Sequence, residues 1–326
     1  MLKKMILLQS LLCVSLFATT AFKKEIYTFK NRVLKTAILY PTFDKQKEVF
    51  ASNAVFKGFE ASSNSAIKDE KFPLLIFAHG TSGNWRNLSW LANDLAKNNI
   101  VLASNHPGYT SRDSNPKSVL RVWKQAKDVS FLITQALNSK FKNNIDKDKI
   151  YVLGFSLGGY TALALSGAKL DMSTYKEFCA KYNDKACEYF KDATSIINKD
   201  YLKKSSQNLR DKRIKKIIAF APGLMQALTN ESLKNISIPS LIIGAQYDHN
   251  VPVETVIKTK FTSFSKTMIY RELKDATHFS FMQECTKNAL PILKEENAEF
   301  VCIDGKTRKR VDIHREIKIL VKDFLK

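Results

Sequence analysis

The chain has 326 residues, a hydrophobic content of 44% and a formal net charge of +21 at pH 7. Most of the basic residues are lysines spread along the whole sequence, whereas a nucleic-acid-binding surface usually shows a clustered stripe rich in arginine. We therefore expect no nucleic-acid partner, although a weak attraction to an anionic membrane surface is compatible with this charge. No internal repeat and no linker rich in Gly, Pro or Ser divides the sequence. One α/β domain with an insertion is the predicted organisation.

Residues 1–21 have the pattern of a secretory signal peptide. Two lysines precede an apolar run at residues 5–17, and small residues lead up to Ala21. A membrane anchor is the competing interpretation, but the run is too short for a spanning helix. A lipoprotein modified at Cys13 ranks second, because Leu12 precedes it where a small residue is expected. We predict cleavage near Ala21 and a soluble protein outside the cytoplasm, in the periplasm or secreted, with residues 22–326 forming the folded domain.

Apolar runs bounded by turns alternate with segments of helical periodicity along the rest of the chain. The runs fall at residues 33–40, 74–78, 100–103, 149–153, 214–220, 240–243 and 268–273, and the helical segments at 85–97, 118–137, 158–168 and 313–325. This alternation indicates a mostly parallel central sheet with helices on both faces.

Residues 170–212 are the predicted helical cap insertion. Tyr175, Phe178 and Tyr182 recur there at near-helical spacing, and Tyr189 and Phe190 follow them. A cover over an acyl-binding cleft and a plain packing helix explain this stripe equally well.

The five residues from Gly154 to Gly158 form the most informative motif. Ser156 has a glycine two residues away on either side, between an apolar run and a small-residue helical segment. At a sharp strand-to-helix turn, a Cβ at either glycine would collide with the neighbouring strand or helix. The motif predicts a nucleophile elbow that presents the Ser156 hydroxyl and leaves the Leu157 N–H free at a helix N-terminus. An ordinary turn serine is the alternative.

Two further side chains follow predicted strands, at the ends where open parallel sheets bind their ligands. Asp248 comes after the run at 240–243, and His278 comes after the run at 268–273. A serine hydroxyl is a weak nucleophile at neutral pH, so His278 would accept its proton and Asp248 would orient the imidazole. The order Ser, Asp, His is the one expected for an α/β-hydrolase triad.

Each of these assignments has a rival in the sequence. Asp248 could instead cap a helix, and Asp275 is its nearest competitor as the acid. His278 competes with His249, which is adjacent to Asp248 in sequence, and with His314, which falls on the predicted terminal helix.

The loop at residues 79–83 follows the run at 74–78 and is the candidate oxyanion loop. The Thr81 N–H would be the second oxyanion donor, beside that of Leu157. His79 and His106 are candidate cleft-lining residues. For His79 we favour stabilisation of the loop over the role of a base, and for His106, in a His-Pro-Gly turn, we favour a hydrogen-bonded turn.

The cysteines suggest disulfides. Of the five cysteines, Cys13 lies in the predicted signal peptide, which leaves an even number in an exported chain. Pairing Cys179 with Cys187 and Cys285 with Cys302 closes the shortest loops. Metal ligation is the alternative, disfavoured because no His follows either pair at ligand spacing. We predict no metal site.

The stretches that carry these residues resemble a known family. They are the elbow, the Asp248 loop, His278-Phe279, residues 72–80, the Asn105-His106-Pro107-Gly108 turn and Ala221-Pro222-Gly223. Together they resemble the predicted dienelactone hydrolases, exported α/β-hydrolases similar to platelet-activating-factor acetylhydrolases. The resemblance covers nearly all of residues 22–326 and implies an α/β-hydrolase fold and ester hydrolysis by Ser156, Asp248 and His278. True dienelactone hydrolases carry a Cys nucleophile, so the substrate is not implied.

The sequence thus predicts an exported, cofactor-free serine ester hydrolase. Its substrate would be a small-molecule or lipid ester, cleaved through an acyl-enzyme intermediate. An acyltransferase with the same triad is the alternative within enzymes. A noncatalytic binding protein with the same fold is the alternative outside them, and the presence of all three triad residues argues against it.

Overall fold

The computed structural model describes residues 19–182 and 184–326. Within these residues, ten strands form one sheet. The strands are β1 (Thr19–Phe29), β2 (Arg32–Thr42), β3 (Glu48–Phe50), β4 (Phe59–Ser63), β5 (Phe72–Ala78), β6 (Ile100–Ser104), β7 (Ile145–Phe155), β8 (Ile214–Phe220), β9 (Ser240–Ala245) and β10 (Met268–Leu273).

The sheet has the order β10-β9-β8-β7-β5-β6-β2-β1-β4-β3. The strands from β10 to β6 in this order pair in parallel, whereas β1 and β2 form an antiparallel pair that joins the sheet at β6. Parallel neighbours need crossover connections, so the central strands are covered on both faces and carry apolar side chains on both. The carboxyl ends of β5, β7, β9 and β10 consequently share one edge of the sheet, where the loops with the candidate residues begin.

Helices cover both faces of the sheet. One face packs against α3 (Trp123–Asn138) and α4 (Leu157–Ser166), and the other against α1 (Ser89–Leu95) and α10 (Arg310–Leu325). The remaining helices are α2 (Pro116–Val119), α5 (Ser173–Tyr182), α6 (Lys185–Phe190), α7 (Lys199–Ser205), α8 (Asn230–Lys234) and α9 (Ala289–Lys294), and short 3-10 or π segments lie at Lys191–Ile196, Met225–Ala227, Val253–Ile257, Lys258–Ser263, His278–Phe281 and Glu299–Cys302. The predicted mostly parallel sheet with helices on both faces is confirmed.

Each predicted apolar run lies within a strand, whereas the helix predictions are less accurate. Within the segment predicted to be helical at 85–97, only α1 is a helix. The single helix predicted at 118–137 is replaced in the structure by two, α2 and α3. Before α1, the side chain of Asn87 accepts from the Asn84 N–H at 2.8 Å, and Asn105 accepts from the Trp85 N–H at 3.0 Å. These bonds give the backbone an alternative to the helical ladder, so the chain turns there instead.

Strand β1 is not predicted by the sequence patterns. From Lys24 to its end, exposed and partly buried residues alternate, and its first residues, 19–21, fall within the predicted signal peptide. Residues 1–18 of that peptide lie outside the described residues, and cleavage near Ala21 stays a prediction. Among residues 19–182 and 184–326, no helix is long and apolar enough to cross a membrane.

Residues 170–212 run between α4 and β8 and contain α5, α6 and α7. Tyr175 and Phe190 of the aromatic stripe are buried, whereas Tyr182 and Tyr189 are exposed. A disulfide between Cys179 and Cys187 links α5 to α6, and a second joins Cys285 to Cys302 across α9. Both pairings are the predicted ones.

Candidate active site

Ser156 occupies the turn between β7 and α4. Its backbone has φ 55° and ψ −116°, a region that residues with a Cβ seldom adopt. The Ser156 N–H donates to the Phe220 carbonyl at 2.8 Å, and its carbonyl accepts from the N–H groups of Gly159 and Gly223, each at 2.9 Å. The backbone of the turn is thereby fixed on both sides, and the partly exposed hydroxyl is the group left to react.

The glycines of the motif are required by close packing. A Cβ on Gly154 would lie 1.9 Å from the carbonyl oxygen of Gly158, and a Cβ on Gly158 would lie 2.0 Å from the carbonyl oxygen of Ala78. Strands β5 and β7 and helix α4 therefore meet at a distance that no side chain at either position would allow. The strand, turn and helix expected around the motif are all present.

His278 and Asp248 are in direct contact. The Nδ1–H of His278 donates to Oδ2 of Asp248 at 2.7 Å, and both side chains are buried. The other carboxylate oxygen accepts from the backbone N–H groups of Asn250 at 2.8 Å and Val251 at 2.6 Å. This arrangement fixes the tautomer of the imidazole and leaves Nε2 of His278 as its proton acceptor.

Phe155, the chain neighbour of Ser156, contacts His278. The ring of Phe155, next to Ser156, packs against the imidazole of His278 with 4.8 Å between ring centroids. In the described part of the chain, the Ser156 hydroxyl makes no hydrogen bond. His278 is therefore hydrogen-bonded to Asp248 but not to Ser156. Catalytic hydrogen bonds in unliganded enzymes are commonly long and tighten when substrate binds.

Two backbone N–H groups belong to residues next to the elbow in the chain or in space. Leu157 is the first residue of α4, and its N–H points out of the helix N-terminus. Thr81 lies in the loop after β5, and the preceding Gly80 is so close to the elbow that a Cβ there would be 2.9 Å from the Ser156 Cβ. Neither the Thr81 N–H nor the Leu157 N–H donates to a protein acceptor within residues 19–182 and 184–326. Two free donors beside a serine hydroxyl can stabilise an oxyanion.

The structure does not put His79 and His106 on the wall of the cleft. They are 4% and 0% exposed, so the cleft-lining role is corrected for both. His79 Nδ1 bonds to the Gly80 carbonyl at 2.8 Å, and its Nε2 accepts from the His106 N–H at 3.2 Å. Burial and the neighbouring His106 lower the pKa of His79 to about 3, which keeps its imidazole neutral. Both histidines lie behind the oxyanion loop as hydrogen-bonded parts of the scaffold.

Sequence reasoning missed the polar side chains of α3 that lie under this loop. Asp128 accepts two hydrogen bonds from Arg32, at 2.6 and 2.5 Å, and one from His106 at 3.1 Å. Gln125 donates to the His79 carbonyl at 2.9 Å and accepts from the Thr161 hydroxyl at 2.7 Å. A signal was available, because Gln125 and Asp128 fall on the apolar face of an amphipathic helix, where a polar residue must find a partner.

The rivals of the triad residues have other contacts. The Asp275 carboxylate accepts from the backbone N–H groups of residues 306–308 and so holds that loop. His314 lies on α10 and is buried, and its ring stacks on Trp90 of α1 with 3.5 Å between centroids. His249 is exposed beside Asp248 and makes no hydrogen bond in the described ranges. No group of three or more His, Cys, Asp or Glu side chains in the described chain could hold a metal ion.

A cavity of about 560 Å³ opens beside His278. Its wall is largely aromatic and aliphatic, from Tyr247, Phe279, Phe300 and Ile303. Lys185 of α6 and Lys306 also line it, and the Lys306 ammonium lies 5.7 Å from the centre of the Tyr247 ring. The volume is in the range of small-molecule sites, so the cavity has room for one apolar part of a substrate next to the imidazole.

Known proteins share this architecture. A family model described as alpha/beta hydrolase fold matches residues 73–171, which include Thr81 and Ser156. A solved ferulic acid esterase from Streptomyces cinnamoneus superposes with a TM-score of 0.61 over 96% of this chain and 90% of that one, at 15% identity. The chain has the α/β-hydrolase fold.

Sequence relatives are distant. Cutinase est1 and Cutinase est2 of Thermobifida alba are each 23% identical to this chain over 215 residues, which is 65% of this chain and 55% of each cutinase. The match therefore spans about half the length of these curated relatives. The narrower resemblance to the dienelactone hydrolases stays a prediction.

Proposed function

We propose that this protein is a serine ester hydrolase in which Ser156, His278 and Asp248 form the catalytic triad. The observation that carries the proposal is the hydrogen bond of His278 to Asp248 at the same sheet edge as the strained Ser156 elbow. The two free N–H groups of Thr81 and Leu157 add the second element that acyl transfer requires.

In the proposed acylation step, the Ser156 hydroxyl oxygen attacks the ester carbonyl while its proton passes to Nε2 of His278. The carbonyl oxygen becomes negative and accepts hydrogen bonds from the N–H groups of Thr81 and Leu157. The imidazolium is stabilised by Asp248 through Nδ1–H. When the carbon–oxygen bond to the alcohol breaks, His278 returns the proton to the leaving oxygen, and an acyl-enzyme on Ser156 is left.

Deacylation repeats these steps with water. His278 takes a proton from the water while the water oxygen attacks the acyl carbonyl. The N–H groups of Thr81 and Leu157 donate hydrogen bonds to the second oxyanion. The proton then returns to Ser156, and the carboxylic acid leaves. Water and ester give acid and alcohol, so no cofactor is needed to balance the reaction.

The cavity beside His278 favours an ester substrate that carries an apolar group of moderate size. Tyr247, Phe279 and Phe300 supply aromatic surface there, and two lysines carry positive charge. The names of the similar proteins, cutinases and a ferulic acid esterase, are also those of ester-cleaving enzymes. We propose a small-molecule or lipid ester as the substrate.

The test is hydrolysis of p-nitrophenyl esters of increasing acyl length by the purified protein. We expect turnover by the wild type and a loss in Ser156→Ala of about 10⁴-fold or more, as for other triad serines. Ser206→Ala, which changes an exposed serine of the segment after α7, is the matched control and should keep wild-type rates. A serine-directed phosphonate should label the wild type and the control but not Ser156→Ala.

A wild type that hydrolyses no ester of the series and resists the phosphonate would refute the proposal. Equal rates in wild type and Ser156→Ala would refute the assigned nucleophile. Adding an alcohol acceptor to the assay then separates hydrolysis from acyl transfer, since a transferase forms a new ester in place of the acid.

We also propose that the protein acts outside the cytoplasm. The two disulfides support this, because such bonds persist in oxidising compartments. Cell fractionation, with mass spectrometry of the non-reduced protein and of its N-terminus, tests the proposal. A cytoplasmic protein with free thiols would contradict it.

A further inference from the structure

The peptide unit between Gly80 and Thr81 is fixed by hydrogen bonds to its carbonyl oxygen. Its carbonyl oxygen, on Gly80, is bonded to Nδ1 of His79 at 2.8 Å and accepts from the N–H of Gly83 at 3.1 Å. In a trans peptide the C=O and N–H bonds point in opposite directions. Fixing the Gly80 oxygen towards His79 therefore fixes the Thr81 N–H in the opposite direction.

The tautomer of His79 follows from its second nitrogen. The backbone N–H of His106 donates to Nε2 at 3.2 Å, so Nε2 must carry the lone pair and Nδ1 the proton. The Thr110 hydroxyl lies 3.4 Å from the same Nε2. With Nδ1 protonated, the contact to the Gly80 oxygen is a donated hydrogen bond.

The other end of the loop is fixed independently. The His79 carbonyl accepts from Nε2 of Gln125 at 2.9 Å, and Gln125 in turn accepts from Thr161 of α4 at 2.7 Å. Gln125 and Thr161 are both fully buried. The loop that bears Thr81 is thus tied to the helix that bears Leu157, and the Gly80 carbonyl is the remaining group whose rotation would turn the Thr81 N–H away.

We propose that His79 is a positioning residue of the oxyanion site: its Nδ1–H holds the Gly80 carbonyl away from the reaction centre so that the Thr81 N–H faces the developing oxyanion. The proposal rests on the proposed function of Ser156. His79 itself touches neither substrate nor reacting atoms.

Three substitutions test the role. His79→Leu removes the donor, His79→Asn keeps an N–H near the position of Nδ1, and His79→Gln places its amide near the position of Nε2 instead. Loss of one oxyanion donor lowers kcat by about 10²- to 10³-fold in other enzymes, so we expect a fall of about 10²-fold in His79→Leu and His79→Gln with KM within about threefold of the wild type. We expect His79→Asn to recover about tenfold relative to His79→Gln. An alkylboronic acid forms a tetrahedral adduct on the serine. It should bind more weakly to His79→Asn than to the wild type, and more weakly still to His79→Gln and His79→Leu.

The comparison of His79→Asn with His79→Gln carries the test if the leucine variant does not fold, since both are polar and differ chiefly in where the amide lies. A loss confined to KM, equal kcat in the asparagine and glutamine variants, or boronic acid affinity unchanged in His79→Gln would each overturn the proposal.

A second measurement does not depend on activity. The ¹⁵N shifts of the His79 ring should report a neutral imidazole protonated at Nδ1, and a ring protonated at Nε2 would overturn the proposal even if the enzyme is active. If instead the ring has the expected tautomer but no ester is hydrolysed and no boronic acid binds, the proposed function fails, and the role of His79 at an oxyanion site fails with it.

Discussion

The imidazole of His278 and the carboxylate of Asp248 are joined by a hydrogen bond of 2.7 Å, although the two residues are 30 positions apart in the chain. The carboxylate is buried and is held by the backbone N–H groups of Asn250 and Val251. These two donors prevent Asp248 from rotating away from the imidazole, so the orientation of His278 depends on a rigid group.

Replacing the carboxylate by an amide should therefore cost activity with little change of shape. In Asp248→Asn the amide can present an N–H to Nδ1, which favours the wrong tautomer of His278, and we expect kcat to fall by about 10³- to 10⁴-fold. The steady-state kinetics of p-nitrophenyl ester hydrolysis measure this. Asp192→Asn, on the exposed surface, is the control with the same chemical change. Activity of Asp248→Asn within tenfold of that control would contradict the role of Asp248.

The ion pair of Arg32 with Asp128 should matter for stability and its pH dependence. Burial raises the pKa of Asp128, but the hydrogen bonds and charge of Arg32 and the hydrogen bond of His106 outweigh it and hold the pKa below its usual value. A carboxyl whose pKa is lower in the folded state stabilises the protein above its unfolded pKa of about 4, and this stabilisation is lost as the pH falls further.

We expect Asp128→Asn to lower the free energy of unfolding at pH 7 by about 3 kcal/mol, because it leaves the Arg32 charge without its partner. Urea unfolding at a series of pH values from 7 down to 3 measures this. The wild type should lose more stability than the variant below about pH 4. Parallel pH profiles of the two proteins would show that Asp128 is not the titrating group.

The aromatic wall of the cavity should set the preference for acyl length. Phe300 lines the cavity, is 53% exposed and packs against Phe279 with 5.1 Å between ring centroids. If an acyl chain occupies this cavity, Phe300→Ala should lower kcat/KM for octanoate by about tenfold and leave acetate within about twofold, since only the longer chain buries apolar surface there. Phe261→Ala removes another exposed ring, one outside the cavity, and should leave the ratio of the two kcat/KM values unchanged. An equal loss for both esters would mean that the cavity does not hold the acyl chain.

The central strands could be predicted from the sequence because they are buried on both faces. The runs at 74–78 and 240–243 lie within the buried strands β5 and β9, and the elbow between β7 and α4 follows from the spacing of Gly154, Ser156 and Gly158. Strand β1 has no such run, since it lies beyond the parallel part of the sheet and one side of its second half is exposed.

The surroundings of the site could not be predicted in the same way. Arg32 and Asp128 are separated by 96 positions, and each is an ordinary charged residue until the fold places them together. The same holds for His79 and His106, whose burial depends on the packing of α3 beneath the loop. A local motif reports local geometry, whereas these contacts depend on the fold of several segments at once.

The positive φ of Ser156 means that the native state stores conformational strain at its nucleophile. A glycine has no Cβ to strain that backbone, so Ser156→Gly should be inactive and yet at least as stable as Ser156→Ala, with a free energy of unfolding higher by up to about 1 to 2 kcal/mol. Thermal unfolding of the two inactive variants measures the difference. A higher stability of Ser156→Gly than of Ser156→Ala would show that the native state gives up robustness for reactivity in the backbone torsion of a single residue.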